Sequence, residues 1–112
     1  RAILADSSFR GASLAYANFS DALLMGANFR CFNQNKDCSD LWHTNFENAN
    51  LTEAQFQQAV LESTNFRGAN LTKANLNGAK MLTPEQLEDS ILCQTTMPKY
   101  LDIPGDRNCP VN

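Results

Sequence analysis

An all-β solenoid is the fold that this sequence predicts, on two observations and one exclusion. A large apolar residue stands at every fifth position from Leu4 to Phe29 and again from Leu41 to Met81. A small one, Ala, Ser or Thr, stands two positions before each. A helix repeats at about 3.6 residues and a strand at about 2, so a period of five drifts out of phase with both. A fixed internal repeat points instead to stacked coils.

The large positions are Leu4, Phe9, Leu14, Phe19, Leu24 and Phe29, then Leu41, Phe46, Leu51, Phe56, Leu61, Phe66, Leu71, Leu76 and Met81. These fifteen side chains are the expected core. Their small partners run from Ala2, Ser7 and Ala12 through Ser39 and Thr44 to Ala79. Burying so many large side chains supports one independent domain.

The units Ala-Asn-Phe-Arg-Cys at 27–31, Ala-Asn-Leu-Thr-Glu at 49–53 and Ala-Asn-Leu-Thr-Lys at 69–73 resemble the pentapeptide repeat family, A-(D/N)-L-x-x. The resemblance covers residues 2–83 and implies a right-handed quadrilateral β-helix. In that fold each pentapeptide forms one side of a square tube and four make a coil. The large residue fills the axis, where only a small side chain fits beside it. About four coils stacked at roughly 4.8 Å give a rod on the order of 20 Å long.

With twenty residues per coil, residues twenty apart fall on adjacent parallel strands. Glu47 then lies beside Arg67 and Glu53 beside Lys73, while Asn45 stacks with Asn65 and Asn50 with Asn70. Asn precedes the large residue in seven of the fifteen units, where its side chain is expected to reach backbone groups at the corners. These columns read as solvated structural ladders, with a binding stripe as the functional alternative.

Between Phe29 and Leu41 the spacing rises to twelve, read as two repeats plus two extra residues, with one side of the square replaced or bulged as a polar loop. Cys31 and Cys38 flank it. The loop is read as a pinned insertion near 30–39, with recognition or redox chemistry as the alternative.

Thr83-Pro84-Glu85-Gln86 fits a capping box, with Pro84 in the first helical position. A short α-helix is expected to run to Leu92, its Leu87, Ile91 and Leu92 covering the last coil. Pro98, Pro104, Gly105 and Pro110 then exclude regular structure. The chain therefore divides into a β-helix over 1–83 and a capping helix with a tethered tail over 84–112.

Four cysteines allow three pairings, and the sequence does not choose among them. Locality favours Cys31 with Cys38 and Cys93 with Cys109, free buried thiols being the alternative. Disulfides imply an oxidising compartment. Zinc through Cys31, Cys38 and His43 fits no familiar ligand spacing, and no metal or other cofactor is expected. The chain starts at Arg1 without an initiator Met or a signal-like segment, which reads as a processed precursor or a trimmed chain. Leu82-Thr83-Pro84-Glu85-Gln86-Leu87 followed by Ile91 to Pro98 is similar to the ending of cyanobacterial and chloroplast members of the family. Paired cysteines resemble those of plant thylakoid-lumen members, with a cyanobacterial lumen or the periplasm as the alternative.

Catalytic residues are not expected. His43 is the sole histidine and follows Trp42 at an outward position, without a nucleophile placed beside it by the motif. Carboxylates are scattered outward, and there is no glycine-rich phosphate loop. No uninterrupted apolar run reaches the roughly 18 residues of a membrane span. The expected function is a non-catalytic scaffold or protein-interaction module, monomeric, with an unidentified protein partner and no nucleic acid. The alternative is a DNA mimic that binds a DNA-processing enzyme such as gyrase. Residues 1–83 carry seven Lys or Arg and seven Asp or Glu, whereas a duplex mimic needs acid along the rod.

Overall fold

The computed structural model describes residues 3–31 and 38–109. Ala2, the loop residues 32–37 and Pro110, on which parts of the sequence reading fell, lie outside them.

Each pentapeptide supplies one extended position and one tight turn, and the extended positions pair in parallel between coils. Ile3, Leu23, Asn50, Asn70 and Ile91 pair in succession as the first side of a tube. Ser8, Asn28, Gln55, Asn75 and Thr96 form the second side. Ser13, Asp40, Val60 and Lys80 form the third, and Asn18, Asn45 and Asn65 the fourth. The bridges thus run in four ladders, and the five rungs of the first mark four turns. At each corner an N–H returns to the carbonyl three residues back, as from Ala49 to Phe46 at 3.0 Å. The second corner residue takes a left-handed backbone, φ 59° at Asn48 and 61° at Glu53. Gly68 holds such a corner at φ 69°, and a Cβ there would meet Asn48 Oδ1 at 2.2 Å, so a side chain at 68 would add backbone strain and displace Asn48.

Alternation of Leu and Phe along the sequence places Leu on sides one and three and Phe on two and four. The rings stack coil on coil: Phe9 on Phe29 at 5.1 Å, Phe29 on Phe56 at 4.8 Å, and Phe19, Phe46 and Phe66 at 5.4 Å steps. The two columns meet edge to face, as Phe56 does with Phe66 at 5.5 Å, an arrangement that adds to the burial itself. Where Thr takes the small position, its hydroxyl donates to a carbonyl of the preceding coil. Thr44 reaches Leu14 O at 2.8 Å, Thr64 reaches Leu41 O at 2.6 Å and Thr95 reaches Leu71 O at 2.7 Å.

Core positions from Leu24 to Leu76 are buried as expected. Leu4, Phe9, Leu14 and Phe19 are only partly buried, because the described residues give their coil a neighbour on one side alone. Met81 departs from the reading: it is 56% exposed, and Leu82, at 2%, enters the core instead. One residue has slipped in here. Asn70 pairs with Ile91 and Asn75 with Thr96, twenty-one residues on rather than twenty.

After the slip the period of five resumes through Leu82, Leu87, Leu92 and Met97, with Ser90 and Thr95 buried in the small position. The coil ladder therefore continues to Thr96, beyond the boundary drawn at 83. This also corrects the capping helix. Helical structure among the described residues is a single 3-10 turn, Pro84–Leu87, and no α-helix runs to Leu92. Ile91 instead accepts from Leu71 N–H and donates to Ala69 O, both at 2.9 Å, so ladder bonds replace helical ones. The predicted capping residues are used: the Thr83 N–H donates to Gln86 Oε1 at 2.7 Å. Gln86 Nε2 then donates to Leu61 O and Thr64 O at 2.6 and 2.8 Å, tying the turn to the coil beneath.

Insertion length is corrected too. Ser13 pairs with Asp40 and Asn18 with Asn45, twenty-seven residues apart, so seven residues are added to one repeat. Phe29 and Leu41 occupy successive sides, and no side is lost. The expected corner role of Asn holds throughout. The Oδ1 atoms of Asn18, Asn28, Asn45, Asn50, Asn65, Asn70 and Asn75 each accept from the N–H two residues on, at 2.9 to 3.1 Å. The ion-pair columns do not close: Arg67 reaches Glu88 at 3.1 Å rather than Glu47, and Glu53 and Lys73 make no ion pair. Exposed side chains paired only by register gain too little from closing to hold a fixed geometry.

Candidate interaction surface

Outward residues between the third and fourth sides form one corner of the tube, and there the polar pattern fails. Tyr16 N–H donates to Trp42 O at 2.9 Å, and His43 N–H to Glu62 O at 3.3 Å, so three successive coils bring these residues into one column. Tyr16 stacks on His43 with centroids 5.2 Å apart and planes 4° from parallel. Trp42 meets both edge on, at 5.3 Å from Tyr16 and 4.6 Å from His43. Tyr16 is 66% and Trp42 40% exposed.

Tyr16 and His43 hold left-handed backbone, φ 65° and 56°, in positions filled elsewhere by Asp6, Asp21, Asn48 or Ser63. Asn, Asp and His are the side chains that region admits most readily, so Tyr16 is the unusual occupant, and both rings lie exposed outside the core. Met81 repeats the feature two coils on, with φ 66°. A shallow groove of about 400 Å³ joins Glu62 and Ser63 to Met81, Leu82, Thr83 and Gln86. The sequence reading placed Trp42 and His43 outward but missed Tyr16. Twenty-seven-residue spacing hid its column, and a seven-residue insertion would have revealed it.

His43 has the rings of Tyr16 and Trp42 beside it. The cysteines are paired as locality favoured, Cys31 with Cys38 and Cys93 with Cys109. Asp106 lies close to Cys93 and Cys109, but both sulfurs are consumed in the disulfide and supply no thiolate for a metal.

The second disulfide holds a strap across the end of the tube. Leu92 N–H donates to Arg107 O at 2.8 Å, Arg107 N–H returns to Leu92 O, and Thr95 N–H donates to Gly105 O at 3.0 Å. Leu92 and Arg107 pair antiparallel, unlike every other bridge described. Gly105 is required at the crossing, where a Cβ would lie 2.1 Å from Thr95 O. Arg107 Nη2 donates to Leu87 O and to Ser90 Oγ, and Tyr100 Oη donates to Ala79 O at 2.6 Å while accepting from Leu82 N–H. Terminal-coil groups that a further coil would bond are thereby satisfied by the chain itself.

A four-sided solenoid with a five-residue period, small residues beside its axis and Asn at its corners defines the class of repeat protein to which the chain conforms. The chain belongs to the pentapeptide repeat family: it matches the description "Pentapeptide repeats", in 8 copies, over residues 1–30, 39–68 and 49–81. Membership implies a right-handed quadrilateral β-helix, and proteins of this family generally serve as structural or interaction proteins. No curated protein sequence matches it.

Among solved structures it is similar to HetL of the cyanobacterium Nostoc sp. strain PCC 7120, a pentapeptide repeat protein involved in the regulation of heterocyst differentiation. Identity is 30% and the TM-score 0.64, over 86% of this chain and 38% of HetL. The chain thus spans well under half of that relative. A pentapeptide repeat protein from the Arabidopsis thaliana thylakoid lumen shares 24% identity at a TM-score of 0.41, over 93% of this chain and 69% of its own. QnrB1, a plasmid-mediated fluoroquinolone resistance protein, shares 16% at 0.29, over 85% and 62%. At these scores the latter two likenesses bear on neither partner nor compartment. No helix among the described residues is long and apolar enough to cross a membrane.

Proposed function

We propose that the chain is a non-catalytic scaffold and protein-interaction module, monomeric, working in an oxidising compartment, the thylakoid lumen. The observation that carries this reading is the exposed Tyr16, Trp42 and His43 cluster, with Tyr16 and His43 at left-handed corners and all three rings outside the core. Contiguous exposed apolar surface of this kind marks interaction sites. The two disulfides support the compartment, since such bonds persist where the surroundings are oxidising. The DNA-mimic alternative lacks a comparable feature: Arg67, Lys73 and Lys80 interrupt any acidic path along the rod.

Affinity capture from lumen extract with oxidised protein as bait tests the reading. One partner, enriched reproducibly over a bait of equal charge and size, is the expected result. Capture of nothing above that control would count against a scaffold role in this compartment.

A further inference from the structure

The corner bearing the aromatic cluster also has a charge and a length. Asp40 precedes Trp42, its Oδ1 accepting the Trp42 N–H at 3.1 Å, and Glu62 follows one coil on; both are exposed. Trp42 is therefore flanked along the chain and across the coils by two exposed acidic residues, a setting that favours a cation over an aromatic ring. Beyond Glu62 the surface opens into a groove whose exposed apolar side chain is Met81, with Ser63, Thr83 and Gln86 as polar walls. Lys80 stands beside that far end, two coils from Asp40, and disfavours a second cation there.

From the Trp42 coil to the Met81 coil is two steps of about 4.8 Å, or about 10 Å. An extended segment of polyproline type rises about 3.1 Å per residue with three residues per turn, which puts residues i and i+3 on one face about 9 Å apart. The two spacings agree.

We propose that this corner docks an extended basic segment of a partner protein. An arginine lies over Trp42 and Tyr16 with its charge toward Glu62, and an apolar side chain three residues on enters the groove at Met81. The proposal rests on the scaffold reading and names the chemistry of its partner. Aromatic-lined grooves that take preformed extended peptides are an established mode of recognition.

Trp42 is the sole tryptophan, so its emission reports on the site directly. The probe is the blocked tetrapeptide Arg-Pro-Pro-Leu, with its citrulline analogue as a neutral isostere. Saturable change in Trp42 emission is expected with the arginine peptide, weakened about tenfold by citrulline, by Glu62→Gln or by Tyr16→Ser. These exposed substitutions should leave the melting temperature unchanged, which separates lost docking from lost fold. No saturable change at millimolar peptide, or equal binding by the citrulline peptide or by Glu62→Gln, overturns the proposal. Repeating the lumen capture with the Tyr16→Ser, Glu62→Gln double variant distinguishes the two readings. A partner retained equally by the variant leaves the scaffold standing and removes this corner as its site.

Discussion

Phe56 is fully buried, stacked on Phe29 and edge-on to Phe46 and Phe66. Above and below lie ladders of backbone bonds that cannot contract around a void, so Phe56→Ala is expected to cost about 3–5 kcal/mol. Phe56→Leu should cost less than about 1.5 kcal/mol, because Leu76 already fills the same side one coil on. Denaturant midpoints of the two variants check this; an Ala variant unfolding at the wild-type midpoint would mean the phase of the repeat is misassigned. Residue identity at the small positions follows from the same geometry. Ala leaves room beside the axis; Thr44, Thr64 and Ser39 are admitted because a carbonyl of the coil beneath takes the hydroxyl, and Ser90 because Leu87 O does.

Successive pentapeptides were legible in the sequence for as long as the spacing stayed at five, and their corner Asn residues with them, since a local period needs no tertiary information. Legibility failed at two insertions. The spacing of twelve from Phe29 to Leu41 reads as two repeats plus two, whereas the ladder offset makes it one repeat plus seven, and that difference conceals the meeting of Tyr16 with Trp42. At the second, Met81 kept the spacing while Leu82 took the core, because the chain turns with a positive φ at Met81 and swings its side chain outward. The following Ser90-Ile91-Leu92 and Thr95-Thr96-Met97 are ordinary repeats displaced by that one residue, and a capping box ahead of them drew the reading toward a helix. Leu82→Ala should therefore cost about 2–5 kcal/mol, while Met81→Ser stays within about 0.5 kcal/mol. Thermal melts of both variants decide it, and the reverse order would restore Met81 to the core.

A solenoid's stability is a sum of coil and neighbour terms, so its end is where it fails first. In this molecule the C-terminal end is closed by the strap, whose hold divides among the Cys93–Cys109 bond, the Tyr100 hydroxyl and the Arg107 guanidinium. Closing a loop of this length contributes about 3 kcal/mol in the chain-entropy view, and for a domain of this size its loss should lower the melting temperature by roughly 10–20 °C. Reduction should act locally before it acts globally. The amides of Leu92 and Thr95 donate to strap carbonyls, whereas those of Leu51 and Leu71 donate to the next coil, at Asn70 O and Ile91 O. Hydrogen exchange with and without reductant should thus show protection falling at Leu92 and Thr95 while Leu51 and Leu71 keep theirs. Unchanged protection at Leu92 and Thr95 after full reduction would assign the strap to Tyr100 and Arg107 alone and leave the disulfide without a part in closing the tube.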